Sequence, residues 1–234
     1  MDAVSAGLVT AGPASWQVTA EALLIDLDGT LVDSHASIVA AWSRWAERYA
    51  VDLTAVLAVM PGRPATAVMR EVRPDLAESV LVTEQAMLVA KEIADADRVT
   101  AMPGAAELLD ALAPDQWAIV TACTRELAIA RLRAAGLPVP AVLIGIDAVA
   151  VGKPDPAGYL TAANQLGVAA ERSLVLEDAP AGVASGLAAG MRVVALPPAA
   201  TGPAGIHCRT APGLRDIRVR HSDGTLTVSY HMPS

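Results

Sequence analysis

Short apolar runs alternate with helix-like segments through the second half of the chain. The runs predicted as strands are 117–121, 142–146, 173–176 and 192–196. The segments predicted as helices are 103–112, 125–135, 156–166 and 181–189, and three of them are followed by a glycine that suits a helix end. Repeated strand–helix units of this kind predict an α/β fold, a doubly wound parallel sheet with helices on both faces.

The first half of the chain follows a different pattern. A single apolar run at 22–25 has the length of a buried parallel strand. The segments predicted as helices after it are 34–50, 53–60, 64–72 and 75–96, with no convincing strand between Asp33 and Thr100. The pattern therefore predicts an α-helical segment, 34–100, inserted after the first strand of the sheet.

Both ends of the chain have weaker patterns. Residues 1–20 have neither a positive start nor a compact apolar run, so we expect a loose N-terminal extension and no signal peptide. Near the other end we predict a loop at 197–205, a last strand at 206–209 and a hairpin formed by 217–221 and 225–230. The predicted domains are an extension at 1–20, a core of 21–33 and 101–234, and a helical domain at 34–100.

Composition narrows the class of protein. The chain has 234 residues, of which 53% are hydrophobic and 3% aromatic, with no Phe, so Ala, Val and Leu must fill the core. The longest apolar candidate is interrupted by Pro140 and Asp147, so no transmembrane helix is predicted. A net charge of −8 argues against nucleic acid or an anionic membrane as the main partner. The two cysteines, Cys123 and Cys208, give no disulfide framework and favour a cytoplasmic location.

Two carboxylates follow the first strand. Asp26 and Asp28 flank Leu27, and Gly29 then permits a sharp turn. In open α/β sheets ligands bind beyond the carboxyl ends of the strands, which is where both acids would lie. Their oxygens are ligands that Mg²⁺ prefers, and a cation would relieve their repulsion. The alternative is an ordinary Asp-Gly turn with both acids in solvent.

Polar residues also follow three later strands. Thr121 ends one strand, where a hydroxyl with free backbone N–H groups suits a phosphate oxygen. Lys153 lies on a loop that enters a helix, where its charge can meet a phosphate. Glu177 and Asp178 follow another strand and could join Asp26 around a cation. Taken singly, each has an ordinary alternative: a β-branched strand residue, a solvated lysine or a helix cap.

Taken together, and in this order along the chain, these polar residues make a pattern that resembles a known family. The chain is similar to phosphatases of the haloacid dehalogenase superfamily that carry a small helical cap after the first motif. The segments DLDGTLVDS, GKPDP and LEDAPAGVASGLAAGM are most like the sugar- and polyol-phosphate phosphatases. The resemblance covers about residues 21–200 and implies a Rossmann-like core, with 34–100 as the cap.

The resemblance implies roles for the residues at the strand ends. Asp26 would be the nucleophile and form an aspartyl-phosphate. Asp28 would protonate the leaving alcohol and then activate water. Thr121, Ala122 and Lys153 would hold the transferring phosphoryl group.

The resemblance also implies a Mg²⁺ cofactor and a small phosphorylated sugar or polyol as substrate. Mg²⁺ would bind Asp26, the backbone carbonyl of Asp28 and Asp178, with Glu177 in or next to its shell. Arg63 lies where relatives place substrate-facing cap residues, and the alternative is an ordinary exposed arginine. The expected assembly is a monomer or weak homodimer, without nucleic acid or membrane partners.

Some features leave other functions open. The second motif is Thr121-Ala122-Cys123, which lacks the small polar side chain usual in the family, and Cys123 is expected to be a core residue rather than a second nucleophile. Asp28 argues against dehalogenase chemistry. Hexose phosphomutases of the same shape keep both aspartates, so a phosphomutase is the alternative function. A non-catalytic binding protein on this scaffold is a further alternative, which the full set of polar residues disfavours.

Overall fold

The computed structural model of the chain describes residues 15–198, 208–222 and 224–231. Its first elements are the strands β1 (Trp16–Ala20), β2 (Ala22–Ile25) and β3 (Val32–Asp33). The helices that follow are α1 (His35–Tyr49), α2 (Leu53–Val59), α3 (Ala65–Val72) and α4 (Glu78–Ala94). Strand β4 (Thr100–Ala101) then pairs antiparallel with β3, so the chain leaves and re-enters the sheet region side by side.

Helices and strands alternate in the rest of the chain. The elements in order are α5 (Ala105–Asp110), β5 (Trp117–Val120), α6 (Arg125–Ala134), β6 (Val142–Ile144), α7 (Ala157–Leu166), β7 (Ser173–Glu177), α8 (Pro180–Ala188), β8 (Arg192–Ala195), β9 (Arg209–Thr210), β10 (Ile217–Ser222) and β11 (Thr225–Tyr230). Every helix and strand predicted between residues 22 and 196 is present, with ends that differ by a few residues at most.

Strand β2 lies at the centre of a six-stranded parallel sheet. The strand order is β6-β5-β2-β7-β8-β9, so β5 and β7 flank β2. All of β2 is buried, because a central parallel strand is covered by strands on both edges and by helices on both faces. The doubly wound α/β core is therefore confirmed, and the carboxyl end of β2 opens at the middle of the sheet edge.

Successive side chains of β2 point to opposite faces of the sheet. Leu23 and Ile25 belong to the apolar core on one face, together with residues of α5 and α6. Leu24 belongs to the core on the other face, together with residues of α7 and α8. Apolar packing thus covers both faces, which leaves the strand ends as the place for a polar site.

The inserted helices have an apolar core of their own. Trp42 and Trp45 of α1 pack edge to face, with ring centroids 5.5 Å apart. Val56, Val68 and Leu81, one from each of the next three helices, are buried in the same cluster. This separate core supports a cap at 34–100, although the exact division into domains stays a prediction.

The expectation of a loose extension at 1–20 is wrong for its last residues. Residues 16–20 form β1, which pairs antiparallel with β11 in a three-stranded sheet of order β1-β11-β10. Val18 and Ala20 are buried, whereas Gln17 and Thr19 are exposed. The alternation of buried and exposed residues in β1 is too short to predict a strand from the sequence. Its partner, β11, lies at the other end of the chain, so the local sequence gives no further sign of the pairing. Residues 1–14 lie outside the described part of the chain.

The last part of the chain follows the prediction in part. The hairpin is confirmed, since β10 and β11 pair antiparallel from Ile217 and Tyr230 onward. The strand predicted at 206–209 is instead β9, and it pairs with the end of β8. Residues 199–207, which include most of the predicted loop, lie outside the described residues. No helix within the described ranges is both long enough and apolar enough for a membrane crossing.

The three-stranded sheet is expected to contribute to stability because it shares the main core. Leu226 of β11 is fully buried in the cluster that contains Leu23 and Ile25. We expect Leu226→Ala to lower the free energy of unfolding by about 2–5 kcal/mol, measured by urea denaturation. Thr227→Ala, on the alternate face of the strand, is the control and should cost less than about 1 kcal/mol. Equal small losses in both variants would contradict this role.

Candidate active site

Asp26 begins the polar site directly after β2. Its backbone N–H donates to the Leu176 carbonyl of β7 at 3.0 Å, which fixes the chain where the strand ends. Lys153 reaches the same point from the loop before α7, with Nζ 2.5 Å from Asp26 Oδ1. Only 4% of the Lys153 side chain and 7% of the Asp26 side chain are exposed, so this ion pair is shielded from solvent.

Glu177, the last residue of β7, contacts the other side of the Lys153 ammonium. Its Oε1 accepts from Lys153 Nζ at 2.5 Å and from the Tyr159 hydroxyl at 3.1 Å, and its Oε2 accepts from the Ala179 N–H at 3.0 Å. Helix α8 approaches so closely that a Cβ on Gly182 would lie 1.6 Å from Glu177 Oε1. The Glu177 carboxylate is therefore enclosed and already has three donors.

Asp178 faces the turn that follows Asp26. Thr30 donates its hydroxyl to Asp178 Oδ1 at 3.1 Å. Gly29 in this turn has a φ of +84°, and a Cβ there would lie 2.1 Å from Asp178 Oδ2, so only glycine meets both demands. The N-cap of α8 is Ala179, so Asp178 does not have the helix-cap role that was its ordinary alternative.

Two donors hold the Asp28 carboxylate. Ser34 Oγ donates to Oδ1 at 2.7 Å, and Arg131 Nη1 donates to Oδ2 at 2.6 Å. Arg131 belongs to α6, and its Nη2 contacts the Glu92 carboxylate of α4. Asp28 is thereby connected through an ion pair to the inserted helices.

Three further residues of the site were not predicted from the sequence: Arg131, Glu92 and Tyr159. One sign was available for the first two, because each charge lies on the buried face of its helix. Arg131 shares the buried face of α6 with Leu127, and Glu92 shares that of α4 with Leu88. A charged residue on an apolar stripe indicates a buried partner, since unpaired charges are rarely buried. The sequence does not say which partner, and Tyr159 gave no comparable sign.

The second motif reaches the same cavity from the end of β5. The Thr121 hydroxyl accepts from the Cys123 N–H at 3.2 Å and lies 3.3 Å from Cys123 Sγ. We expected free backbone N–H groups at this strand end. The Thr121 N–H is not one of them, because it donates to the Ile144 carbonyl at 2.9 Å. Cys123 is only partly buried and lines the cavity, but the loss of solvation at its position raises the pKa of the thiol to about 12, so the thiol stays protonated at neutral pH.

A cavity of about 490 Å³ lies between the sheet edge and the inserted helices. Its lining includes Asp26, Asp28, Thr121, Ala122, Arg131 and Asp178 from the core, and Trp42, Met60, Arg63, Leu88 and Glu92 from the helices. The structure thus brings most of the sequence-predicted residues to one cavity, and Lys153 and Glu177, which do not line it, lie behind Asp26 in the ion pairs described above. Arg63 also lines the cavity, and its guanidinium is already engaged. Its Nη1 lies 2.7 Å from Glu71 Oε2 and donates to the Val59 carbonyl at 3.2 Å.

The carboxylates at this edge carry more charge than the nearby ammonium offsets. Burial raises the pKa of Asp26 well above its usual range, and the charge of Glu177 adds to this while Lys153 acts in the opposite direction. Burial and the charge of Glu177 raise the pKa of Asp178 to about 7. Burial alone would lower the pKa of Lys153, but Asp26 and Glu177 raise it well above its usual value. Lys153 is therefore charged, and the cluster around it stays short of positive charge.

This shortage fits a divalent cation. Oxygen atoms of Asp26, Glu177 and Asp178 lie within 4.8 Å of one another. A donor set made entirely of oxygens suits a hard ion, and a dication would relieve the repulsion between these carboxylates. Because the Glu177 oxygens already accept from three donors, Asp26 and Asp178 have the oxygens better placed for a metal.

Comparisons with known proteins indicate one family. The sequence profile of the haloacid dehalogenase-like hydrolases matches residues 20–190. Hexitol phosphatase A of Escherichia coli (strain K12) is 43% identical over 175 residues, which cover 74% of this chain and 81% of that protein. Validoxylamine A 7'-phosphate phosphatase of Streptomyces hygroscopicus subsp. limoneus is 38% identical over 180 residues, which cover 74% of this chain and 84% of that protein.

Solved structures share the fold at lower sequence identity. The β-phosphoglucomutase of Clostridium difficile matches with a TM-score of 0.69 over 76% of this chain and 84% of that chain. The two sequences are 22% identical, so this likeness concerns the fold alone. A core with this architecture is therefore found in enzymes with different named activities.

The protonated state of Cys123 can be tested directly. Because the thiolate is the reactive form, we expect folded protein to resist iodoacetamide at Cys123 at neutral pH, measured by mass spectrometry of the digested protein. The same protein in urea is the control and should be labelled there. Rapid labelling of Cys123 in the folded state would indicate an activated thiolate and contradict its assignment as a core residue.

Proposed function

Because the chain belongs to the haloacid dehalogenase-like hydrolases, we propose that it is a Mg²⁺-dependent phosphatase that releases phosphate from small phosphorylated sugars or polyols. The observation that carries the proposal is the buried contact between Asp26 and Lys153 at the end of β2. Phosphoryl transfer depends mainly on positioning and on neutralising oxygen charge, which such a contact provides. The relatives named as phosphatases of a hexitol and of validoxylamine A 7'-phosphate support the substrate class.

Asp26 is the proposed nucleophile. One of its oxygens bonds to phosphorus while the bond between phosphorus and the leaving oxygen breaks, and Asp28 gives a proton to the leaving alcohol. Asp28 then takes a proton from water, whose oxygen bonds to phosphorus while the bond to Asp26 breaks. One ester and one water thus give one alcohol and one inorganic phosphate, and both aspartates return to their starting states.

Lys153, Thr121 and Ala122 are the proposed phosphate-binding residues. Lys153 Nζ touches Asp26 Oδ1, so its charge lies beside the attacking oxygen, where a phosphoryl oxygen would also be. Thr121 and Ala122 line the cavity next to Asp26. We assign to Glu177 the positioning of Lys153, because its carboxylate is fully buried against the ammonium.

Asp26, Asp178 and the backbone carbonyl of Asp28 are the groups proposed to hold Mg²⁺, with Glu177 next to them. When bound, Mg²⁺ would neutralise charge on the phosphoryl oxygens and on the clustered carboxylates. The cluster of three carboxylates beside a single ammonium supports this assignment, and burial with the charge of Glu177 raises the pKa of Asp26 and of Asp178.

A hexose phosphomutase is the second candidate, since that activity occurs on the same fold. A cycle through a sugar bisphosphate needs a second place for a phosphate in the cavity. Both arginines that line the cavity among the described residues are already ion-paired, Arg63 with Glu71 and Arg131 with Asp28 and Glu92. A second phosphate would also meet the carboxylates there, which repel it. The charge distribution therefore favours a substrate with one phosphate and a neutral, hydroxylated remainder.

Arg63 remains the proposed substrate-selecting residue of the cap. It lines the cavity opposite the core residues, and 28% of its side chain is exposed. Its ion pair with Glu71 and its hydrogen bond to the Val59 carbonyl hold it in place. We therefore assign it to shaping the cavity wall rather than to binding a second phosphate.

The substrate class is tested by phosphate release from a panel of esters with Mg²⁺ present. We expect turnover of hexitol and glycerol phosphates, and slow or no turnover of sugar bisphosphates and of phosphate esters that carry a carboxylate, because the cavity repels a second anion. Asp26→Asn should reduce release by at least about 100-fold, since an amide is a poor nucleophile. A bisphosphate requirement without net phosphate release would instead establish the mutase. Substantial activity in Asp26→Asn would overturn its role as the nucleophile.

Metal dependence is tested by removing divalent cations with EDTA. We expect activity to disappear and to return with Mg²⁺, because the carboxylate cluster lacks sufficient positive charge without it. Ca²⁺ should restore little activity, since it accepts looser and higher coordination. Calorimetric titration with Mg²⁺ gives a readout besides activity, and Asp178→Asn should weaken the binding that it measures. Full activity in metal-free buffer would contradict the proposal.

A further inference from the structure

Arg131 is a buried cation that joins two carboxylates from distant parts of the chain. Only 2% of its side chain is exposed. Its Nη1 donates to Asp28 Oδ2 at 2.6 Å, and its Nη2 donates to Glu92 Oε2. A guanidinium at this depth would be costly without partners, so its position depends on both carboxylates.

The two carboxylates belong to different structural units. Asp28 lies in the turn after β2, whereas Glu92 lies on α4 of the inserted helices and is also buried. The second oxygen of Asp28 accepts from Ser34 Oγ at 2.7 Å, directly before α1. One oxygen of Asp28 is thus held from the start of the inserted segment, and the other is held through Arg131 from its last helix. The orientation of Asp28 therefore depends on where these helices lie.

We propose that Arg131 is a positioning residue that transmits the position of the inserted helices to Asp28. While Glu92 is paired with Arg131, the Asp28 carboxyl is held facing the cavity, in the orientation from which it protonates the leaving alcohol. Movement of the helices away from the core removes Glu92 from Arg131, so Arg131 is no longer held against Asp28 from that side. Proton transfer to the alcohol is thereby restricted to the arrangement in which the helices cover the cavity. This inference rests on the proposed role of Asp28 in the phosphatase reaction.

The same helix provides a matched control. Glu84 of α4 is buried like Glu92 and accepts from an arginine, with Arg48 Nη1 3.0 Å from its Oε1. Arg48 belongs to α1, so this ion pair lies within the inserted helices. Glu84→Gln and Glu92→Gln therefore make the same chemical change on one helix, and only the second change reaches Asp28 through Arg131.

The test compares leaving groups in a single turnover with Mg²⁺ present. Alcohol release from sorbitol 6-phosphate needs a proton from Asp28, whereas nitrophenolate release from p-nitrophenyl phosphate does not, because the phenolate is a stable leaving group. We expect Glu92→Gln to slow alcohol release by about 10-fold or more while nitrophenolate release changes by less than about 3-fold. Glu84→Gln should leave both rates close to those of the wild type. Thermal unfolding of each variant confirms that it is folded.

Glu92→Gln leaves the buried Arg131 with one carboxylate fewer, which could destabilise the protein. A double variant avoids this problem. Glu92→Leu combined with Arg131→Leu removes the whole ion pair, a change that buried pairs often tolerate without loss of stability. It should show the same dependence on the leaving group as Glu92→Gln. Equal slowing of both substrates, or no slowing of either, would overturn the positioning role. If the wild-type protein releases phosphate from neither ester, the proposed function fails, and this inference fails with it for that separate reason.

Discussion

The contact of one buried ammonium with two carboxylates governs the arrangement of the site. Lys153 is enclosed between Asp26 and Glu177, and each of these three side chains would be costly to bury alone. Glu177 gains further donors from Tyr159 and Ala179, which spread its charge over three hydrogen bonds. Even so, one ammonium faces three clustered carboxylates, and burial together with the charge of Glu177 raises the pKa of Asp26 and of Asp178. A site with this residual charge favours both a metal ion and the phosphate that such an ion can bind.

The backbone lets these groups approach because glycine lies at two contact points. A side chain on Gly29 would overlap Asp178, and a side chain on Gly182 would overlap Glu177. The first glycine brings the turn after β2 against the end of β7, and the second brings α8 against the same strand end. The carboxylates therefore come together through neighbouring parallel strands, and their spacing is fixed by close backbone contacts rather than by flexible side chains.

The sequence was sufficient to predict the parallel sheet and the position of its polar edge. Asp26 could be found because it directly follows a short apolar run, and Lys153 because it lies on a loop between a predicted strand and the next helix, and parallel strands bring such positions to one edge. Contacts between segments that are distant in the chain could not be predicted from local sequence patterns. Strand β1 pairs with the other end of the chain, and Arg131 and Glu92 meet across the boundary between core and inserted helices. Their burial is visible as charges on apolar helix faces, but the partner of each depends on tertiary packing.

The site has two ends that are built differently. At the phosphate end, Asp26, Lys153 and Glu177 come from the sheet edge and its loops, and their side chains contact one another together with Tyr159 and Ala179 of the core. At the other end, Asp28 contacts Ser34 and Arg131, and residues of the helices line the cavity. Changes within 34–100 therefore reach the cavity wall and the contacts of Asp28 more directly than the contact between Asp26 and Lys153. Because the two ends are built from different segments, the cavity wall can change in sequence while the sheet edge keeps the contact between Asp26 and Lys153.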